Sequence, residues 1–310
     1  MATQDTFRTS PNISDALVSD QLETNFVAWT QYALLGAGGF FNVERPQSGA
    51  YGGDQSELRK VVDPNYNNGQ VWEGFRKDWV WETGVAVSNP PIRVSGVYYD
   101  SRFVPVGTGL SIDYPNGRAV FAEAISPTGT VSCSYSYRLY QIYPSDSDWF
   151  QRLQTNSFRV DDSQFLQSGS GAWDVLAQNR VQLPAIIYEA IPNGKRKGLQ
   201  LGGGDTLMQD VVCHIIAEDK WHMLWMHDTM VAQFQKRLDA FDKNKILTSG
   251  AFPLDDTGFP LSSGNMYPDL RENYYWNQIR IEQTRGQNYQ KVGSLSCCDV
   301  RLSVEIDLPS

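Results

Sequence analysis

Three histidines, His214, His222 and His227, fall within fourteen residues of one another. Imidazole is both the base available near neutral pH and a common metal ligand. Their spacing separates them. On a helix, His222 and His227 lie about 140° apart, and on a strand His214 faces away from the neighbouring Cys213. The HExxH pattern is absent, as are a GxSxG nucleophile elbow and a GxxxxGK[ST] phosphate loop. Gly202, Gly203, Gly204 and Asp205 are glycine-rich, but no Lys-Ser/Thr pair or helix directly follows them. The carboxylate pairs Asp161-Asp162, Glu218-Asp219 and Asp255-Asp256 are of a kind common on surfaces, and spacing alone does not make a glycosidase pair. The one basic cluster is Lys195, Arg196 and Lys197. It is either a solvated hairpin tip or a contact for an acidic partner surface or nucleic acid. These residues predict no enzyme, no cofactor and no metal.

The elements around these residues are clearest between Pro184 and Asp242. Pro184 to Ile191 is a compact apolar run, broken by Pro192, Asn193 and Gly194. A second run, Leu207 to Ala217, follows the glycines. Two β-prone runs separated by turn residues predict a hairpin with a long or bulged connection. Glu218 and Asp219 suit a helix N-terminus, where backbone N–H groups lack partners. Trp221, Leu224, Trp225, Val231, Phe234, Leu238 and Phe241 then recur at steps of mostly three and four. That periodicity predicts a helix to about Asp242, apolar on one face. The expected fold class is α+β: an antiparallel sheet with a long amphipathic helix packed on it, plus an inserted β-rich module.

The chain has 310 residues, 41% of them hydrophobic and 12% aromatic, enough to fill a core. Its 26 basic against 35 acidic residues leave a net charge of −9, which argues against a broad grip on nucleic-acid phosphates. Cys133, Cys213, Cys297 and Cys298 form no CxxC pair, and free, packed thiols are expected. The first residues show no basic-then-apolar signal, and no apolar run approaches the ~20 residues that cross a bilayer.

Three parts are expected along the chain. Residues 1–39 hold a helix capped by Ser14, with Val18, Leu22, Phe26, Trp29 and Ala33 at helical steps and glycines after Leu35. Residues 40–180 form the β module, with short strands from 92 to 143 punctuated by Pro115-Asn116-Gly117 and Pro127-Thr128-Gly129. Alternation from Ser132 to Leu139 predicts a strand with one buried and one solvated face. Trp72, Trp79 and Trp81 lie in this part, and Trp79 and Trp81 would share a strand face. They form either a small core or an aromatic platform for a partner or a carbohydrate. Residues 181–310 complete the core. Within them, Leu247 to Asp269 is a long connection carrying Phe252, Leu254, Phe259 and Leu261. A loop of that length folds back on its own subunit or docks on a neighbour. Alternation from Val300 to Ile306 closes the chain with a half-buried strand.

This order of elements resembles the tail-terminator and neck proteins of tailed double-stranded DNA phages. The resemblance rests on the N-terminal helix, on Leu183-Pro184-Ala185-Ile186-Ile187-Tyr188-Glu189, on the run from Asp210 to Glu218 with its helix, and on the final run from Asp299 to Asp307. It covers residues 13–35 and 181–308, and residues 40–180 have no counterpart. It implies a virion protein forming a ring, typically a hexamer, between the tail tube protein and the head-side connector or neck proteins. The inserted module could touch a sheath or collar. DNA would pass through the lumen without specific binding, and no membrane is involved. Subunit or partner contacts are expected at Trp72, Trp79, Trp81, Lys195, Arg196, Lys197, Phe252, Leu254, Phe259 and Leu261. The alternative is a carbohydrate-binding or baseplate receptor-binding module; an unrecognised hydrolase is a third reading.

Overall fold

The structure, a computed structural model, describes residues 18–47, 54–82, 85, 87–147, 182–198, 205–240, 278–292 and 295–308. The expected α+β class is overturned. Of the described residues 47% are in strands and 15% in two helices, and the sheets are large and curled. The helix expected to reach Asp242 spans only Lys220–Val231.

Two sheets organise the chain. The N-terminal helix α1 (Val18–Gly36) is followed by nine short strands: β1 (Phe40–Val43), β2 (Glu57–Lys60), β3 (Val71–Glu73), β4 (Gly96–Tyr99), β5 (Arg102–Pro105), β6 (Leu110–Asp113), β7 (Arg118–Phe121), β8 (Val131–Ser132) and β9 (Tyr135–Arg138). Seven of them form one antiparallel sheet in the order β5-β4-β8-β2-β3-β7-β6, and β1 pairs with β9. Then come β10 (Gln141–Pro144), β11 (Ala185–Gly198), β12 (Asp205–Ala217), helix α2 (Lys220–Val231), β13 (Arg237–Leu238), β14 (Ile279–Val292) and β15 (Leu295–Leu308). These make a six-stranded sheet in the order β10-β11-β12-β15-β14-β13. Only the β10–β11 pair is parallel.

The six-stranded sheet follows from alternation. Val211, Cys213 and Ile215 on β12 and Val300, Leu302, Val304 and Ile306 on β15 point to one face. Both helices cover that face. Leu22, Phe26 and Trp29 of α1 share a helical stripe against Ile186 and Tyr188, while Met223, Met226 and Met230 of α2 form the second stripe. The buried side of α2 is therefore methionine, and Trp221 and Leu224 point outward.

Helix α2 ends early because the chain has a better partner. Gln235 adopts a left-handed φ of 62°, its N–H bonds to the Ile281 carbonyl, and the Ile281 N–H bonds to the Lys236 carbonyl. The segment peels off to pair as β13 with β14. Leu238 still reaches the core, but from a strand, and Phe234 is left exposed. One local expectation also changes. Pro192, Asn193 and Gly194 do not end the first strand; the register shifts between Ile191 and Lys195, so they form a bulge inside β11.

The β module has an aromatic core. Trp79 stacks on Tyr135 at 4.3 Å between centroids, and its indole N–H donates to the Arg76 carbonyl at 2.7 Å. Gly117 closes the Pro115-Asn116-Gly117 turn with φ 63°. A Cβ there would stand 2.6 Å from the Arg76 carbonyl oxygen and 2.9 Å from the Trp79 Nε1, so only glycine fits. The strand expected across Ser132 to Leu139 is broken into β8 and β9. Its second face is not solvated either: Ser136 and Arg138 are buried. Arg138 meets Glu82 with both carboxylate oxygens at 2.6 and 2.7 Å and Asp78 at 3.2 Å.

The β module and the second sheet share contacts. The module's last strand, β10, joins the six-stranded sheet. The Lys77 N–H donates to Gln182 Oε1 at 2.7 Å, and Arg76 donates to the Leu183 carbonyl at 3.3 Å.

Candidate functional site

A group of titratable side chains lies on the six-stranded sheet, on the face away from the helices. His214 on β12 stands between Glu189 on β11 and Asp299 on β15. Its Nε2 is 2.9 Å from a Glu189 oxygen and its Nδ1 is 2.7 Å from Asp299. Burial alone would lower the histidine pKa, but hydrogen bonds and charge from Asp299 and Glu189 outweigh it, and the pKa is raised. The protonated ring donates to both carboxylates and has no lone pair left for a substrate. Cys297 lies two residues before Asp299 on the same strand face. Burial and the Asp299 charge push its thiol up to about 11, so it stays protonated and is a poor nucleophile. The group is a charged clasp across three strands.

A second row runs beside it. Asp210 accepts from Arg301, from Asn193 and from Ser303 Oγ, the last at 2.5 Å. Burial would raise its pKa, but these hydrogen bonds hold it below the ordinary carboxylate value. A groove of about 230 Å³ lies over this row, lined by Asn193, Lys195, Met208, Asp210, Glu282 and Arg301 among others.

The edge of the sheet changes character along β11. Ala185–Tyr188 pair with β10. The Ala190 N–H is then taken by Glu23 of α1 at 2.8 Å, a carboxylate whose pKa burial raises. From Pro192 to Gly198 every side chain is exposed. Among the described residues that stretch pairs only with β12. Lys195, Arg196 and Lys197 stand there, opposite Met208, Leu207 and Thr206.

The other exposed surface is the outside of α2. Trp221, Leu224 and Tyr289 are 66%, 42% and 52% exposed. Leu224 and Tyr289 border a cleft of about 400 Å³ between α2 and β14, lined also by Lys220, Met223 and His227. Gly286 lets the helix come this close: a Cβ there would lie 2.2 Å from His227 Nε2. Asp219 caps the helix, accepting from the His222 N–H at 2.9 Å. Glu218, Asp219 and Asp228 are exposed around this surface.

The expected contact residues divide three ways. Trp72, Trp79 and Trp81 are 4%, 0% and 8% exposed and belong to the module's core, so they offer no surface platform. Lys195, Arg196 and Lys197 are exposed on the sheet edge. Phe252, Leu254, Phe259 and Leu261 lie outside the described residues, as do Ser14, Gly202 to Gly204, Asp161, Asp162, Asp255 and Asp256. The Glu189–His214–Asp299 group escaped sequence reasoning because its members are 25 and 85 positions apart. The available signal was that Glu189 and His214 are polar residues inside apolar runs and that Asp299 opens the final alternating run; only the register aligns them.

Among the described residues, no group of three or more His, Cys, Asp or Glu side chains is placed to hold a metal ion. No helix among them is long and apolar enough to cross a membrane. No family model matches this sequence, and no curated protein matches it.

Proposed function

We propose that this chain is a structural protein of a tailed-phage virion. It closes into a ring, of six copies, at the neck where the tail tube meets the head side, and it performs no catalysis. The observation that carries this reading is the open edge of β11. Seven consecutive exposed residues, three of them basic, stand on a strand that, among the described residues, is hydrogen-bonded on one side only. Such an edge is a ready contact for another chain. The sequence of a helix, a long hairpin, a second helix and a second long hairpin follows the order that the resemblance implies. The titratable clusters also suit a scaffold, because their members bond to one another. The carbohydrate-platform alternative has lost its tryptophans to the core.

Light scattering and negative-stain microscopy of the purified full chain across a concentration series test the reading. Closed rings are expected, together with detection of the chain by mass spectrometry of purified particles. A chain that stays monomeric at every concentration and is missing from the particles overturns it.

A further inference from the structure

Among the described residues nothing covers the exposed apolar face of α2, and its surroundings point to what does. Trp221, Leu224 and Tyr289 present rings and an aliphatic side chain to water, the last two beside an open cleft. Isolated exposed hydrophobics are ordinary, but a contiguous group with a polar rim marks an interaction surface. The rim here carries Glu218, Asp219 and Asp228. The opposing cation on the patch, Lys220, lies over the Tyr289 ring at 5.7 Å. His222 and His227 each turn Nδ1 toward a rim carboxylate, Asp219 and Asp228 respectively.

The complementary surface is on the same chain and out of reach. Lys195 is opposite Met208, and β12 continues from Met208 to Ala217, immediately before Glu218. Nine strand steps are about 30 Å, several times the screening length of roughly 8–10 Å in salt. The basic stretch also lies on the β11 edge, whereas the apolar patch lies over β14, toward the other edge. Basic edge and acidic-rimmed patch can therefore meet only between copies.

We infer that the contact joining neighbouring subunits is heterologous: the open edge Lys195–Lys197 of one copy docks on the α2 face around Trp221, Leu224 and Tyr289 of the next. This rests on the ring reading above and supplies its joint. Two different surfaces repeated head to tail generate a ring when the rotation closes. Met208, exposed beside Lys195, adds apolar area to the basic edge. The cations also gain an aromatic face, since Lys and Arg side chains pack favourably over Trp and Tyr. A nucleic-acid partner for the basic edge is the competing assignment. The acidic-rimmed patch elsewhere on the same chain and the net charge of −9 favour a second copy.

The test uses the full chain and sedimentation velocity over a protein and salt series. Lys195→Glu with Lys197→Glu, and separately Glu218→Lys with Asp228→Lys, should each raise the concentration needed for association by about tenfold or more. Added salt should weaken the wild type in the same direction, and the four substitutions combined should restore association. Carbodiimide coupling in the wild type should join Lys195 or Lys197 of one copy to Glu218 or Asp228 of another. All four positions are exposed, and unchanged thermal melting confirms folding of each variant. A wild type that associates while both reversals associate equally well overturns this contact and leaves the ring reading standing. A wild type that never associates removes both. Loss of binding to a duplex DNA fragment, with self-association intact, assigns the basic edge to nucleic acid and also overturns the contact.

Discussion

The two sheets of this chain treat charge in opposite ways. The β module takes ion pairs inside: Arg138 is buried with Glu82 and Asp78, and Arg118 pairs with Glu73 and Asp63 beneath the surface. The six-stranded sheet keeps its ionic rows on the open face, where Glu189, His214, Asp299, Asp210, Arg301, Arg280 and Glu305 remain partly in water. Their cores differ too, one built on Trp and Tyr, the other on aliphatic side chains and methionine. Short strands explain part of this. A four-residue strand such as β6 or β7 alternates but puts only two residues on its buried face, so large rings and buried pairs fill the module. Strands of thirteen and fourteen residues put many more there. The module should therefore depend on a few irreplaceable groups, and the long sheet on many small contributions.

The largest effect should come from Trp79→Ala. It removes a fully buried ring, its stack on Tyr135 and its hydrogen bond to Arg76, and should cost about 5 kcal/mol, the upper end for such truncations. Denaturant unfolding measures it; a loss below about 2 kcal/mol would mean the module collapses around the gap as readily as the other sheet.

Glu82→Ala comes next, at about 3–4 kcal/mol, because it leaves the Arg138 guanidinium buried without its bidentate partner. Replacing Glu82 and Arg138 together by leucine and methionine should cost less than the single change. Equal costs would show that the pair matters only for packing.

The pH dependence separates the sheets further. Burial raises the Asp78 carboxyl from 3.8 to about 6 against the opposing pull of Arg138. Between those values the folded chain holds a proton that the unfolded chain has released. This group's contribution therefore falls as pH rises from about 4 to about 6, and Asp78→Asn should flatten that part of the profile. The His214 pKa is also raised above its usual 6.5. Its clasp is complete below 6.5 and is lost as pH climbs through the folded value. His214→Gln should flatten that later, shallower decline. Urea midpoints across pH in both variants decide it; a wild-type profile rising through either window contradicts the corresponding assignment.

The smallest effect belongs to the open face. Arg280→Gln, which removes a contact with Glu282 and Glu305 at the surface, should change stability by less than about 1 kcal/mol. A loss comparable to that of Glu82→Ala would erase the contrast between the sheets.

Local signals carried several elements into the structure. Helix α1 was legible from Leu22, Phe26 and Trp29, because side chains four and three residues apart share a helix face. Asp219 was legible as a cap and Pro115-Asn116-Gly117 as a turn, because both depend on backbone chemistry within four residues. The alternation from Val300 to Ile306 announced a half-buried strand for the same reason. The candidate site was legible only in part: Lys195, Arg196 and Lys197 stood out as a cluster, whereas the α2 face was assigned to the core.

What sequence alone determined was therefore what neighbours in the chain can decide: helix starts, turns and the alternation of long strands. Only the tertiary structure decided which side of an element meets the core and where it stops. Trp221 and Met223 are both apolar, and the packing of α2 over β14 and β15 chose the methionines. Helical spacing ran on past Val231, but the free edge of β14 offered Gln235 and Lys236 hydrogen bonds that a longer helix would have forgone. The three tryptophans were equally fit for surface or core until the module closed around them. Glu189, His214 and Asp299 became a group only when two strand registers aligned them. Each of these outcomes depends on contacts between residues far apart in sequence, whose energies no local window contains.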